Sequence, residues 1–248
     1  MSPEENQLPA PAPSAGVPAM SSGLGRGHEE PSDMDELEIP RAKLVQFTSA
    51  EAQAEDIAER KNPGSLINSI TKEPLDQLFI PIFKFTNFVQ WNPRKKDDPN
   101  FDPNVDPGGV VFTSIDREDP RVIEGIKFGP NGEPPKITRY MNFLAYFPGH
   151  PYPLVLSFAK TSFAAGKRLL SLLQMAKGDM FANKFKLTMN LKEGDAGKYF
   201  VLNVLPAGKA TEEEFKVAEA WFEDFRGRNL KVHTDDEEKP APGEDWKE

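Results

Sequence analysis

A two-residue hydrophobic period is most regular in one stretch, where four apolar residues alternate with four polar ones: Phe185, Leu187, Met189 and Leu191 with Lys184, Lys186, Thr188 and Asn190. This period predicts a β-strand with one buried face and one solvated face. A turn-forming segment at 192–197 and an apolar run at 199–205 follow, which together predict an antiparallel hairpin. The lysines of the solvated face suit a polyanionic ligand, although such faces also occur on ordinary half-buried sheets.

A helical period precedes this hairpin, in the segment 161–178. Phe163, Leu169 and Leu173 fall on one helical face, and Lys167 lies largely off it. A hydroxyl residue at the start can cap the first backbone N–H groups, and Gly178 ends the helix.

Two capping-box patterns predict further helices. Thr211 and Glu214 begin a segment with an apolar stripe that ends near residue 227. Thr48 and Glu51 predict a short helix that ends near residue 60.

Seven other apolar runs predict extended strands, at 39–45, 65–70, 75–91, 110–115, 121–128, 137–147 and 154–158. The long run 75–91 is apolar on both faces, so either both faces are covered or one carries exposed aromatic platforms. By strict alternation, its two faces carry Leu78, Ile80 and Ile82 on one side and Phe79, Phe83 and Phe85 on the other.

This order of elements predicts a mainly β, α+β fold. Five or more antiparallel strands, with one helix inserted before the last hairpin and another after it, match a Greek-key barrel of the oligonucleotide-binding type. We expect the ordered domain to span 39–233. Residues 1–38 are rich in Pro, Ala, Ser and Gly and then acidic, and 234–248 are acidic and broken by prolines, so both tails are predicted to be disordered.

The net charge of −9 is distributed unevenly along the chain. Residues 1–38 contain eight acidic residues and one basic residue, and 234–248 contain seven acidic and two basic residues. The remaining segment, 39–233, therefore carries a net charge of +3. A mildly basic domain between two acidic tails indicates a polyanionic partner more directly than the total charge does.

Several kinds of chemistry lack the residues they need. Cysteine is absent, which excludes disulfides, thiolate metal sites and cysteine nucleophiles. The three histidines lie far apart in the sequence, so neither a serine triad nor a multi-histidine metal centre is indicated. We therefore expect no enzymatic activity, no cofactor and no metal ion. Without a run of about 20 apolar residues or a signal-like start, we expect a cytoplasmic protein and no membrane partner.

Basic and aromatic residues are interleaved on several predicted strands. A groove that binds single-stranded nucleic acid combines these two types, since aromatic rings stack on bases and cations neutralise phosphates. Each residue type also has ordinary roles in cores and on solvated surfaces, so their convergence on one groove is the hypothesis. The candidate binding residues are Phe83, Lys84, Phe85, Phe88, Trp91, Arg94, Lys95, Lys96, Arg139, Tyr140, Tyr146, Lys160, Lys167, Lys184 and Lys186.

Three short motifs carry a resemblance to a known family: IPRAKL at 39–44, PGSLIN at 63–68 and LSFAKTS at 156–162. With these motifs, the chain resembles bacteriophage single-stranded-DNA-binding proteins over about residues 39–248. The resemblance implies an oligonucleotide-binding barrel without enzymatic activity that acts in DNA replication or recombination, in the host cytoplasm. It also implies that the acidic C-terminal tail recruits replication or recombination proteins. The candidate tail residues are Asp235, Asp236, Glu237, Glu238, Asp245 and Trp246.

Two other functions remain open from the sequence. The protein could be a structural component of a phage virion or of its assembly, which predicts a discrete oligomer with little affinity for nucleic acid. It could also be a carboxylate-dependent enzyme acting on nucleic acid, which predicts turnover that depends on a divalent metal ion.

Deletion of residues 234–248 should tighten binding to single-stranded DNA and weaken recruitment of protein partners. The reason is that the basic domain can hold this tethered segment of net charge −5 at high effective concentration until DNA displaces it. Fluorescence anisotropy with a labelled oligonucleotide at low salt measures the effect. An affinity that is unchanged by the deletion would contradict competition by the tail.

Overall fold

The computed structural model describes residues 39–194 and 197–227 of the chain. The tails predicted to be disordered, and the hairpin tip at 195–196, lie outside these residues. The described residues form a mainly β fold with three helices, which confirms the predicted α+β class. The strands are β1 Ala42–Leu44, β2 Leu66–Asn68, β3 Leu78–Trp91, β4 Val110–Ser114, β5 Ile137–Tyr146, β6 Leu154–Phe158, β7 Asn183–Gly194 and β8 Gly197–Lys209, and the helices are α1 Pro120–Gly125, α2 Phe163–Ala176 and α3 Glu212–Phe225.

Strand β3 is the centre of the main sheet. The strand order is β6-β5-β3-β7-β8, with every pair antiparallel, and β4 pairs with the C-terminal end of β3. Strands β1 and β2 form a separate two-stranded sheet, and Arg41 makes a parallel bridge to Val155 of β6. Backbone pairing among the described strands does not continue from β8 to β1. A closed barrel is therefore not formed by these residues, and the finer prediction of an oligonucleotide-binding barrel is not confirmed.

Among the described residues, backbone pairing is missing between β8 and the segment after β1, and there the side chain of Gln46 makes the hydrogen bonds instead. The Gln46 amide Nε2 donates to the Phe200 carbonyl at 2.9 Å, and its Oε1 accepts from the Phe200 N–H at 2.8 Å. These two bonds reproduce the pair that a neighbouring strand residue would make. The rings of Phe47 and Phe200 stack beside them, with centroids 5.5 Å apart. This Gln46–Phe200 seam connects the segment after β1 to β8.

A β-bulge in β3 changes which face its residues occupy. The register with β5 shifts between Pro81 and Phe83, so Ile82 is an extra residue in the ladder. After the bulge, Phe83 and Phe85 pack with the cluster that contains Ile80 and Ile82, and not with Phe79. The face assignment by strict alternation was therefore wrong beyond Ile82. The bulge is located beside Pro81, which has no N–H to give to a ladder.

Both faces of β3 are covered by helices. On the Phe79 face lies the core cluster that includes Leu169 and Leu173 of α2. Helix α2 approaches closely because Gly166 has no side chain, since a Cβ there would lie 2.8 Å from the Cβ of Phe158. On the opposite face lies α3, whose Ala218 is buried in the second cluster. Most of the aromatic residues of β3 therefore pack under these helices and are not exposed platforms.

The predicted helix α3 and its N-terminal signal are confirmed. The Thr211 hydroxyl accepts from the Glu214 N–H, and the Glu214 carboxylate accepts from the Thr211 N–H, which is a complete capping box. The other oxygen of Glu214 forms a 2.6 Å ion pair with Lys184 of β7, so the cap also ties α3 to the sheet. In the described part of the chain, no helix has the length and apolar character needed to cross a membrane.

Two predicted elements were wrong. Residues 48–60 form a series of turns and no helix, because the Glu51 carboxylate binds Lys43 and Lys72 and does not cap the segment. The segment 121–128 was predicted to be a strand, but its first part belongs to α1. There the Asp119 side chain accepts from the Arg121 N–H and Pro120 occupies the first turn, which is a strong helix start that the apolar spacing concealed.

Glu51→Gln should destabilise the fold by about 3 kcal/mol near neutral pH, because it removes the carboxylate that is paired with a buried lysine. The side chains of Glu51 and Lys43 are only 10% and 7% exposed. Burial alone would raise the pKa of Glu51, but hydrogen bonds and charges from Lys43 and Lys72 outweigh it and leave the pKa below its ordinary value.

The sign of the pH dependence follows from that lowered pKa. The stabilising contribution of Glu51 is complete above its unfolded-state pKa and is lost as the pH falls through the lower folded-state pKa. Urea denaturation at about pH 7 and about pH 3 should therefore show a difference from the wild type that shrinks in acid. The exposed Glu55→Gln is the control and should change stability little. An equal effect of the two variants near neutral pH would contradict the role of Glu51.

Candidate nucleic-acid interface

Three cations lie together on one side of the sheet. Lys84 of β3 is opposite Phe143 of β5, and Phe88 of β3 is opposite Arg139, so Lys84 and Arg139 point from the same face of neighbouring strands. Arg117, in the connection between β4 and α1, is close enough for its charge to act on both. We call Lys84, Arg117 and Arg139 the cation cluster. Within the described residues, none of the three takes part in a salt bridge.

The environment of this cluster disfavours positive charge. Burial lowers the pKa of Lys84, and the nearby charges of Arg139 and Arg117 lower it further. Burial also lowers the pKa of Arg139, with a further contribution from Arg117. Partial desolvation and like-charge repulsion thus act together, and an anion placed here would favour the charged forms of both residues. A cluster of this kind is a candidate functional site.

The turn from β6 into α2 lies beside Arg139. Lys160 has φ +46°, a left-handed conformation that costs free energy for a residue with a Cβ. It begins the single-turn 3-10 helix Lys160–Ser162, which leads directly into α2. The Arg139 guanidinium lies over the Phe163 ring at 5.4 Å from its centroid. The strained turn therefore brings one more cation and one aromatic ring to the cation cluster.

A surface pocket of about 500 Å³ adjoins this turn, and we call it the Phe128 pocket. It is lined by Ile126, Phe128, Pro134, Pro135, Ile137, Thr138, Arg139, Lys160 and Phe163.

A small separate core fixes one wall of the Phe128 pocket. Phe88, Val122 and Ile137 are buried together and hold α1 against β5. The approach is close because Gly125 lies against Ile137, where a Cβ would be 2.6 Å from that side chain.

The loop that carries Phe128 is held by a turn that follows it. The Gly129 N–H donates to the Glu133 carbonyl at 2.9 Å, and the Glu133 carboxylate accepts from the Asn131 N–H at 3.0 Å. Phe128 itself is 72% exposed. The loop therefore presents an aromatic ring at the rim of a formed pocket.

A second pocket, of about 290 Å³, lies on the other side of Lys160. Its lining is more polar and includes Lys43, Ser157, Thr161 and Ser162. Because Lys160 lines both pockets, the two are neighbours at the start of α2.

The structure places four predicted binding residues in this region: Lys84, Arg139 and Lys160, and also Tyr140, which lines the second pocket. The aromatic candidates of β3 and β5 are mostly packed in the interior. Phe83, Phe85 and Tyr146 pack on the cluster under α3, and Phe83 makes an edge contact with Phe222 at 6.5 Å. Their positions leave little ring surface for stacking on a base.

Three further aromatic candidates lie in or beside the core. Phe88 is 1% exposed and Tyr140 is 3% exposed, so both act as core residues in this structure. Trp91 is half-buried, and its Nε1 donates to the Tyr140 hydroxyl at 3.2 Å.

The remaining basic candidates are spread over other surfaces. Arg94, Lys95 and Lys96 are exposed in the 92–109 loop, which buried Asn92 organises through side-chain bonds to the backbone of Asp102 and Val105. Three more lie on α2 and β7: Lys167 and Lys186 are exposed, and Lys184 is paired with Glu214. The tail candidates from Asp235 to Trp246 lie outside the described residues.

Sequence analysis missed Arg117, Phe128 and Phe163 as site residues. Arg117 stands among Asp116, Glu118 and Asp119 in the sequence, which concealed its charge. Phe163 was assigned only to the core stripe of α2, and Phe128 to a strand. A Phe next to a Gly-Pro-Asn-Gly turn was the one signal that could have marked Phe128 as a loop residue.

Comparison with known proteins identifies a phage family. Residues 5–231 match the family model described as Pam3 phage gp34-like protein. The chain belongs to this family. The match supports the predicted bacteriophage origin of this gp34-like protein, and it covers the cation cluster and both pockets. No curated protein and no solved structure matches the chain.

Lys84→Gln should raise the thermal midpoint of the gp34-like protein at low salt, because it removes one charge from a mutually repelling cluster. After solvent screening, we expect the lost repulsion to stabilise the fold by a few tenths of a kcal/mol. For a protein of this size, that free energy raises the thermal midpoint by about 1–2 °C. The gain should shrink at high salt. Lys186→Gln, at an exposed position on β7, is the control, and an identical response of both variants would contradict the repulsion.

Proposed function

We propose that this phage protein binds single-stranded DNA, without enzymatic activity and largely without sequence preference, in phage DNA replication or recombination. The observation that carries the proposal is the cation cluster, Lys84, Arg117 and Arg139, none of which forms a salt bridge with a described acidic side chain. A protein that only needed solubility would gain nothing from holding Lys84 and Arg139 in a partly desolvated place beside a third cation. A chain of phosphates supplies the missing negative charge.

The neighbourhood of the cluster favours a single strand over a duplex. The Phe128 pocket lies directly beside Arg139 and offers aromatic and apolar walls, which match the faces of unstacked bases. In a duplex the base faces are stacked on one another and cannot enter such a pocket. Cations next to aromatic rings are the combination that non-specific single-strand binders use.

The acidic tail has a role in the same proposal. Residues 234–248 carry a net charge of −5, and the cation cluster is a surface that can hold them. Single-stranded DNA, with its denser charge, displaces the tail, which then becomes accessible to replication or recombination proteins. The tail would thus link occupancy by DNA to recruitment of partners.

The test is fluorescence anisotropy of a labelled oligonucleotide of about 30 nucleotides, titrated at several salt concentrations with duplex as competitor. The wild type should bind the single strand with an affinity whose logarithm falls linearly with the logarithm of the salt concentration. Lys84→Gln combined with Arg117→Gln should weaken binding at low salt and reduce the magnitude of the slope by about 1.4, or about 0.7 per lost phosphate contact.

A charge-matched control separates the cluster from net charge. Lys216→Gln combined with Arg226→Gln removes two exposed cations from the end of the chain that contains α3 and should leave the slope unchanged. Equal losses in both double variants would mean that binding follows total charge and not this site. Absence of binding at low salt, or efficient competition by duplex, would reject the proposal.

A structural role in the virion or its assembly is the second candidate, and one observation favours it. Large apolar side chains are exposed around α1, among them Ile123 at 46% and Phe128 at 72%. Exposed apolar groups of this kind are typical of protein contacts. Sedimentation analysis would reveal a discrete oligomer if this role is correct, together with weak or absent oligonucleotide binding.

A further inference from the structure

We infer that the Phe128 pocket receives one unstacked nucleobase, whose flanking phosphates are bound by Arg139 and Lys160. This inference rests on the proposed function and deepens it, because it turns a general affinity for phosphates into a defined subsite. It also assigns the positioning of the bound strand to the 126–139 segment and the start of α2, and not to the aromatic residues of β3.

The size and lining of the pocket fit this occupant. Its volume of about 500 Å³ lies within the range of pockets that hold small ligands. Phe128 and Phe163 provide ring faces, and Pro134 and Pro135 add apolar surface that cannot donate backbone hydrogen bonds. These features suit a flat, partly apolar ring that carries hydrogen-bonding groups only on its edge.

One donor at the pocket has no partner. The Nε–H group of Arg139 is buried and makes no hydrogen bond in the described part of the chain, although its guanidinium lies over the Phe163 ring. A buried unsatisfied donor costs about 1–3 kcal/mol, so a shift of the guanidinium that brings this N–H to an acceptor on a bound ligand would be favoured. A phosphate oxygen or a base carbonyl supplies that acceptor.

The charge of the lining distinguishes a nucleotide from an apolar peptide. Arg139 and Lys160 are both cationic, and no acidic residue is among the described residues that line the pocket. A purely apolar partner would bury the Arg139 guanidinium, whose Nε–H already lacks an acceptor among the described residues, and give it no negative charge, which is costly. Lys160 lines both this pocket and its polar neighbour, so the phosphate that joins two nucleotides is assigned to it.

The experiment compares an oligothymidylate of about 30 nucleotides with an oligomer of equal length that has abasic sites throughout, so that only the bases differ. The full chain carries Phe128→Ala, and separately Phe163→Leu, which removes a ring but keeps apolar volume at a half-buried position. Each variant should weaken oligothymidylate binding about tenfold, within the range for the loss of one base–aromatic contact. Affinity for the abasic oligomer and the salt slope should stay unchanged. Phe101→Ala, in the 92–109 loop, is the matched control.

A second measurement does not depend on the variants. Photocrosslinking of an oligonucleotide containing 4-thiothymidine, followed by peptide mass spectrometry, should place the crosslink within 126–139 or 160–163. Normal, salt-dependent binding that both variants retain, with crosslinks elsewhere, would overturn the inference and leave the proposed function intact. If the wild type binds neither oligomer, the proposed function itself is rejected. Unchanged DNA binding with altered self-association of Phe128→Ala would assign the pocket to a protein contact instead.

Discussion

The bulge in β3 is the constraint on which the rest of the structure depends. Strand β3 pairs with β4, β5 and β7, and helices cover both of its faces, so each of its residues must fit one core or the other. The extra residue at Ile82 reverses the alternation halfway along the strand. As a result, Phe83 and Phe85 complete the apolar surface under α3, whereas Lys84 is moved to the side of α2, where Arg139 lies. The cation cluster forms because the bulge at Ile82 moves Lys84 to the face of the sheet that carries Arg139.

The same arrangement sets a conflict between stability and the proposed binding. Lys84 and Arg139 are partly desolvated and repel Arg117, which lowers the pKa values of both residues on the sheet and opposes folding at neutral pH. The cluster is tolerated because the surrounding contacts are strong: the apolar core on the α2 face and the capping box of α3 lie on either side of the sheet. Residues that weaken a fold while facing solvent are commonly retained for a function that needs them.

The strands and the two long helices could be predicted because their signals are local. The alternation of β7, the stripe of α2 and the capping box of Thr211 and Glu214 each depend on residues a few positions apart. One failure was local, because the helix start at Asp119 and Pro120 was overlooked, but the others concern information that is not local. The bulge at Ile82 cannot be seen in the hydrophobic pattern. Glu51 has the spacing of a capping residue, but in the fold its carboxylate forms ion pairs with Lys43 and Lys72. Residue type alone was enough to mark Lys84 and Arg139 as candidates. Their proximity to Arg117, Lys160 and Phe163 depends on strand register, which the sequence does not show.

The Gln46–Phe200 seam has a consequence for how the chain reaches its native state. Its two hydrogen bonds connect residues 154 positions apart, so they require closure of a very long loop. During synthesis, the segment after β1 is made early but must wait for β8 before it can pair. Contacts of such high sequence separation form slowly, and meanwhile the edge of β8 stays unpaired and open to other chains. Because a glutamine side chain takes the place of a strand here, this long-range contact needs only two hydrogen bonds and one ring stack, and not a whole ladder.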